Sequence, residues 1–239
     1  MTRELIAQSK TPDGESLTLT KEDEHHVVRV RGELLMSSRQ TGSEEALAQL
    51  AFDKADLSKQ PKVLVGGLGI GFTLRAILDL FGAQAHVSVV ELLPDVVSWN
   101  RGVLAAYADH ALSDPRVTVI EGDLVKFLGI QYLDGDYLED DQLIARKHAF
   151  DAIVLDLDNG PEPFTVSGNS RLYSTLGLVK IYEALKPGGV MVLWSAFKSP
   201  AFEKSLRKVG FTAESVVVRA RTRARKGARH TVFVGTRPI

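Results

Sequence analysis

The chain is predicted to be an α/β protein with a doubly wound, seven-stranded, mostly parallel sheet and a small N-terminal β module. Three observations predict it. Between Lys62 and Ser195, short apolar runs alternate with amphipathic segments, the pattern of βα units whose helices cover both faces of a parallel sheet. The first apolar run passes through the glycine cluster VLVGGLGIG into the first amphipathic segment, where doubly wound folds place a nucleotide-binding turn. After Gly210, two β-rich runs flank a basic turn and read as a terminal antiparallel pair.

The elements follow in chain order. Between Leu17 and Ser37, the runs LTLT and HVVRVRGELLM surround the charged KEDEHH and form a predicted hairpin. GSEEALAQLAF, Gly42 to Phe52, is a predicted helix with Ser43 placed as N-cap ahead of two glutamates. The boundary falls at Lys59 to Lys62, around Pro61, which separates a hairpin and helix module over residues 1–57 from a nucleoside-binding domain over 58–239. KVLVGG and HVSVVE are the first two strands of that domain, with IGFTLRAILDLF as the helix between them. PDVVSWNRGVLAAYADHAL is the second helix, with proline in its first turn. VTVIEGD, FDAIVLD and GGVMVLWS are further buried strands, separated by DLVKFL and by RLYSTLGLVKIYEALKPGG, whose Lys-Pro-Gly-Gly end stops a helix. GFTAESVVVRARTRA and ARHTVFVGT complete the sheet.

Composition narrows the function. The 239 residues are 44% hydrophobic, enough for a large core. Lys and Arg number 29 against 30 Asp and Glu, so no global charge advertises nucleic acid or an acidic membrane as a partner. The absence of cysteine removes disulfides, thiolate metal sites and thiol nucleophiles, and suits a reducing compartment. No apolar run approaches the ~20 residues of a membrane span, and MTRELIAQSK has no signal-like apolar region; a cytoplasmic protein is expected. The histidines have no metal-ligand spacing, and no metal is expected.

In an open parallel sheet, ligands bind outside the carboxyl ends of the strands, so the residues ending each strand are the candidates. The first strand ends in Gly66-Gly67-Leu68-Gly69-Ile70-Gly71; at Gly67, Gly69 and Gly71 the missing side chains let backbone amides approach a ligand, although a tight turn without a ligand has the same sequence. The second ends in Glu91, which can accept from both hydroxyls of a ribose or simply be a solvated acid. The third ends in Asp123, suited to an adenine amino group, to capping DLVKFL, or to both. The fourth releases Asp156-Leu157-Asp158-Asn159-Gly160-Pro161 at the same mouth, with an Asx-type turn as the alternative. Gly69 and Glu91 stand about the 20 residues apart expected of a dinucleotide fingerprint, but Phe72 occupies the third glycine position. That favours S-adenosylmethionine or a relative over NAD.

These motifs resemble the spermidine synthase (polyamine aminopropyltransferase) family, from about Val27 to Phe211. VLVGGLGIGFTLRAIL, VSVVELLPDVV, RVTVIEGD, FDAIVLDLDNGP and LYSTLGLVKIYEALKPGGVMVLWS carry the resemblance, with RGELLMSSRQTGSEEALAQL as a fainter N-terminal match. It implies a Rossmann-like methyltransferase fold, a homodimer joined through the β module, a role in polyamine biosynthesis, and a donor that is S-adenosylmethionine or its decarboxylated form. It also implies that Glu91 holds the ribose, Asp123 the adenine, and that Asp156 is the catalytic carboxylate facing a small-molecule amine acceptor. Glu45, Asn159 and Tyr173 fall at positions matching the family's acceptor side, Tyr173 equally suiting a packing role at a helix start, and Asp158 is the acid nearest to its second aspartate. The chain departs from the family at Ile70, where GGGDGG has an acid that engages the donor's ammonium, and at Ser43-Glu44-Glu45, where the family has Tyr-His-Glu. Loss of a charge-assisted hydrogen bond, worth roughly 1.5–3 kcal/mol, weakens aminopropyl transfer relative to use of intact S-adenosylmethionine. The expected function is a spermidine-synthase-like transferase. A methyltransferase, an aminocarboxypropyl transferase and a catalytically silent nucleoside-binding dimer are the alternatives.

Other features stay open at this level. RARTRARKGARH, Arg219 to His230, is either a solvated hairpin or an anion site. LDGDYLEDDQ, Leu133 to Gln142, reads as a solvated insertion or lid, and Trp194 as a core residue at the edge of the pocket.

Overall fold

A computed structural model describes residues 2–39, 42–130, 147–157, 160–161, 170–221 and 226–239. The N-terminal strands β1 (Arg3–Lys10), β2 (Ser16–Glu22), β3 (His25–Val30) and β4 (Glu33–Ser37) form an antiparallel meander in the order β1-β2-β3-β4. The expected hairpin is therefore the centre of a four-stranded sheet. Its first strand gives no sequence signal because RELIAQSK is an exposed edge with almost no buried positions.

Helix α1 (Gly42–Lys54) leads into the large sheet. Ser43 lies within its first turn, and its hydroxyl donates to Glu44 Oε2 at 2.7 Å instead of capping the helix. Although it was grouped with the β module from sequence, α1 packs on α2 (Phe72–Leu80) and on strands of the large sheet. That sheet contains β5 (Lys62–Gly66), β6 (His86–Glu91), β7 (Val117–Glu121), β8 (Phe150–Leu155), β9 (Leu185–Ser195), β10 (Thr212–Arg221) and β11 (Lys226–Thr236). Its order is β10-β11-β9-β8-β5-β6-β7, with β11 antiparallel to both neighbours and the central pairs parallel. The chain runs from β5 outward to β6 and β7, then returns to place β8 on the opposite side of β5. The order thus reverses between β5 and β8, and the crevice opens there.

Among the described residues, four further helices flank the sheet: α3 (Pro94–Arg101), α4 (Leu124–Phe127), α5 (Thr175–Ala184) and α6 (Pro200–Val209). The long second helix expected from sequence stops at Arg101. Gly102 leaves helical geometry, and Asp109 and His110 take left-handed backbone angles (φ 47° and 54°) between two short 3-10 turns. Asp123, Ser174 and Ser199 cap α4, α5 and α6 by accepting from backbone amides two or three residues on.

Successive residues of the central strands feed two different cores. Val63, Val65, Val87, Val89 and Val154 join α1, α2, α3 and the meander's Leu17, Leu19 and Val28. Leu64, Val90, Ile153 and Leu155 face α4, α5 and α6 with Leu178, Ile181 and Phe202. Burial on both faces explains why these strands read as continuous apolar runs. Among the described residues, no helix is long and apolar enough to cross a membrane.

Candidate functional site

A cleft of about 590 Å³ opens at the carboxyl ends of β5, β6, β7 and β8, a volume suited to a small-molecule ligand. One wall is the large sheet, contributing Gly67 to Ile70, Glu91, Asp123 and Asp156; the other is the meander, contributing residues 11–13 and 34–37.

The glycine turn is fixed by close packing. Gly67 has φ 87°, and a Cβ there would stand 2.4 Å from the carbonyl oxygen of Asp156. Only glycine fits both constraints. The turn is also tied to the neighbouring strands, because Gly67 N–H donates to Val90 O and Asp156 N–H donates to Gly66 O, each at 2.9 Å. Gly71, with φ 86°, starts α2 in contact with Ala108 and Asn100, and Gly69 faces Met36 of the meander.

Glu91 is buried at 7% exposure. Its Oε2 accepts from Leu68 N–H at 2.8 Å and its Oε1 from Leu93 N–H at 2.9 Å. Burial pushes its pKa up while these amides oppose the rise. Glu91 therefore braces the glycine turn as well as lining the cleft, and its carboxylate retains lone pairs for a ligand hydroxyl. Asp123 both caps α4, accepting from Val125 N–H at 2.7 Å, and lines the cleft.

Asp156 follows β8. Its Oδ2 accepts from the Thr73 hydroxyl at 2.5 Å, and burial raises its pKa against that bond. Glu44 lines the same cleft, and its pKa is pushed up to about 7, first by burial and next by the charge of Asp156. Glu45 is exposed and does not line the cleft, so the glutamate of α1 that faces the site is the preceding one. Of the two roles open to Tyr173, closing over an acceptor or packing at a helix start, the described residues display packing. Its ring is buried in the core edge-to-face against Phe202, with centroids 5.9 Å apart, and it is not part of the cleft wall. Asp158 and Asn159 lie outside the described residues, as does LDGDYLEDDQ.

Sequence reasoning missed Glu44, Thr73 and His230 as site residues. His230, on β11, lines the cleft edge-to-face with Trp194 at 4.8 Å, and burial lowers its pKa. Their pairing follows from the antiparallel register Thr231 to Ser195, a tertiary fact without a local signal. Among the described lining residues the charged side chains are Asp13, Glu44, Glu91, Asp123 and Asp156, and no Lys or Arg is present. Of the basic segment, Arg219 pairs in register with Arg229 on the terminal strands, while residues 222–225 lie outside the description. Ile70 is 4% exposed and packs into the core between the sheet and α2. No group of three potential metal-ligating side chains occurs among the described residues.

A glycine turn at the switch point, an acid ending β6 and another capping the helix after β7 stand where proteins of the doubly wound class bind their ligands. Residues 42–210 match the sequence model described as "Spermine/spermidine synthase domain", and the chain belongs to that family. Polyamine aminopropyltransferase 2 of Ralstonia nicotianae is 37% identical over 102 residues, covering 41% of this chain and 19% of that protein. The polyamine aminopropyltransferase of Mycobacterium tuberculosis is 32% identical over 131 residues, covering 55% and 22%. The chain thus spans about a fifth of the length of the curated relatives it matches. A crystal structure of spermidine synthase in complex with the transition-state analogue AdoDATO superposes with a TM-score of 0.73 at 17% identity, covering 99% of this chain and 74% of that one. This likeness shows the shared fold.

Proposed function

We propose that the protein is an aminopropyl transferase that moves the aminopropyl group of decarboxylated S-adenosylmethionine to a primary amine. The observation that carries this reading is the charge of the cleft, where five carboxylates face the ligand space without a Lys or Arg among the described residues. The decarboxylated donor is a sulfonium bearing an ammonium tail, and the acceptor is also a cation; both gain from such a field. Intact S-adenosylmethionine adds a carboxylate that would meet only like charge there. Ile70 is the one feature that favours the intact donor, since it removes the family's acid from the turn. The remaining acids outweigh it.

Glu91 would hold the ribose and Asp123 the adenine, with the glycine turn passing beneath the sugar. The acceptor arrives as an ammonium and gives one proton to Asp156. Its nitrogen lone pair then attacks the methylene carbon attached to sulfur, a C–N bond forms, and the C–S electron pair returns to sulfur. The products are a secondary ammonium and a neutral thioether, and the proton held by Asp156 passes to solvent. The sulfonium already activates the leaving group, so the chain's task is positioning and proton removal. A homodimer joined through the β module, where Leu5 is 57% exposed, and a cytoplasmic location belong to the same proposal.

Calorimetric titration of both donors into one preparation tests the reading. Tighter binding of the decarboxylated donor is expected. Tighter binding of S-adenosylmethionine would turn the assignment to methyl or aminocarboxypropyl transfer. Asp156→Asn should leave nucleoside binding intact and abolish turnover; unchanged turnover would remove Asp156 from proton transfer.

A further inference from the structure

We infer that Tyr107 is a positioning residue that fixes the meander wall of the cleft against the sheet wall through His26. The inference rests on the amine-acceptor reading above for the identity of the ligand that meets this wall. Tyr107 stands on the 3-10 turn Ala105–Ala108; its hydroxyl lies 2.9 Å from His26 Nδ1 of β3 and donates to the Glu24 carbonyl oxygen at 3.3 Å. The hydroxyl has one proton, so the two contacts are made at once only when His26 Nδ1 carries a hydrogen and donates it. His26 is 8% exposed, and its ring meets that of Tyr107 edge-to-face with centroids 5.5 Å apart. Among the described residues, no other hydrogen bond and no ion pair joins residues 2–39 to the remainder of the chain.

This tie reaches a cleft wall at each end. On the meander side, His26 N–H donates to Ser38 Oγ and Ser38 N–H to His26 O, each at 3.0 Å, which holds the end of β4 directly after the cleft residues Leu34 to Ser37. On the sheet side, Ala108 packs so close to Gly71 that a Cβ there would lie 2.9 Å from its methyl group, and the Tyr107 ring stands edge-to-face to Phe72, a cleft residue, at 6.5 Å. A continuous run of contacts therefore joins the glycine turn to β4. The meander's other attachment is apolar, through Leu17, Leu19, Val28 and Val30. Such packing has no preferred direction, whereas a hydrogen bond weakens steeply away from its axis. Packing holds the meander on, and the tyrosine sets where it stands. Glu91, Asp123 and the glycine turn all belong to the sheet wall, so the wall set by Tyr107 falls to the part of a ligand beyond the nucleoside.

The test uses the full chain, whose lack of cysteine lets spin labels be placed at two sites alone. Labels on Glu33→Cys of β4 and Ser98→Cys of α3, exposed positions on the meander and the large domain, report the separation of the walls by pulsed electron resonance. A single narrow distance distribution is expected when Tyr107 is present, and a second, longer population in Tyr107→Phe. In unlabelled protein with decarboxylated S-adenosylmethionine as donor, Tyr107→Phe should raise KM for 1,4-diaminobutane about 2- to 10-fold, the loss expected of one hydrogen bond, with kcat unchanged. Calorimetric affinity for 5′-methylthioadenosine, unchanged in the variant, reports that the fold is intact. His26→Leu should behave as Tyr107→Phe does, the double variant should be no worse than either, and His26→Asn, whose amide offers a donor in place of Nδ1, should keep the single distance. An unchanged distance distribution in Tyr107→Phe, additive losses in the double variant, or equal weakening of both ligands would overturn the inference while leaving amine transfer standing. A wild type that binds methylthioadenosine but does not alkylate the diamine would instead overturn the acceptor reading, and the label distances would still decide whether Tyr107 sets the wall.

Discussion

Replacing Glu44 by Gln should make the ligand-free protein more stable at pH 8. The carboxyl of Glu44 moves from an ordinary value of 4.5 to about 7 on folding. Between those values the native state holds a proton that the unfolded chain has lost, so stability declines as pH rises from about 4.5 to 7 and then levels off. The full effect is at most about 3 kcal/mol, since one pKa unit is worth about 1.4 kcal/mol and part of the rise belongs to the pairing with Asp156. Glutamine keeps the shape without the charge and relieves Asp156 of a like-charged neighbour. For a chain of this size, that corresponds to a melting temperature about 5–10 °C above wild type at pH 8, with near equality at pH 4.5–5. Thermal unfolding of both proteins across this range provides the measurement. The lowered pKa values of His26 and His230 give an opposite slope, with stability lost as pH falls through 6.5, but they act equally in both proteins and cancel in the difference. Parallel curves, or a variant less stable than wild type at pH 8, would refute the reasoning that Glu44 is desolvated and opposed by Asp156.

Two structural predictions accompany it. Gly67→Ala should cost about 2–4 kcal/mol in urea unfolding and abolish methylthioadenosine binding, because the added methyl meets the Asp156 carbonyl while the backbone is forced to φ 87°. Unaltered binding would mean that the turn has a second conformation. Asp151, 1% exposed, accepts from Ser58 N–H, Lys62 N–H and Lys186 Nζ at 2.9, 2.8 and 2.6 Å. Burial raises its pKa, but Lys186 and the two amides outweigh burial and hold it low, so its contribution is present at neutral pH and lost in acid. Asp151→Asn should therefore destabilise by about 3 kcal/mol at pH 7 and by progressively less as the pH falls below 4. An equal loss at every pH would show that packing, not charge, is the cause.

The large sheet was legible because the central strands are buried on both faces and the chain punctuates them with glycine, proline and acids at their carboxyl ends. For the same reason the cleft-lining positions of Glu91, Asp123 and Asp156 are legible, since a strand end locates a residue without knowledge of tertiary contacts. The meander was only half visible: β2 and β3 contain buried positions, whereas β1 is an exposed edge. Glu44 and Glu45 are adjacent in sequence but about 100° apart around a helix, and the choice between them depends on how α1 docks onto α2. Tyr173 reads equally as a pocket lid or a core ring until Phe202, distant in sequence, is placed beside it. Trp194 and His230 meet only through the pairing of β9 with β11.

The two walls of the cleft differ in how freely they can change. The sheet side is written in backbone angles, and Gly67 has little latitude because a carbonyl lies against its α-carbon. The meander side is written in side chains, with Leu34, Leu35 and Met36 on a short strand whose geometry tolerates many residues of similar size. A lineage could therefore exchange residues 34–37 and reshape the meander wall of the cleft while the glycine turn stayed as it was. Selectivity would drift and the cradle would persist.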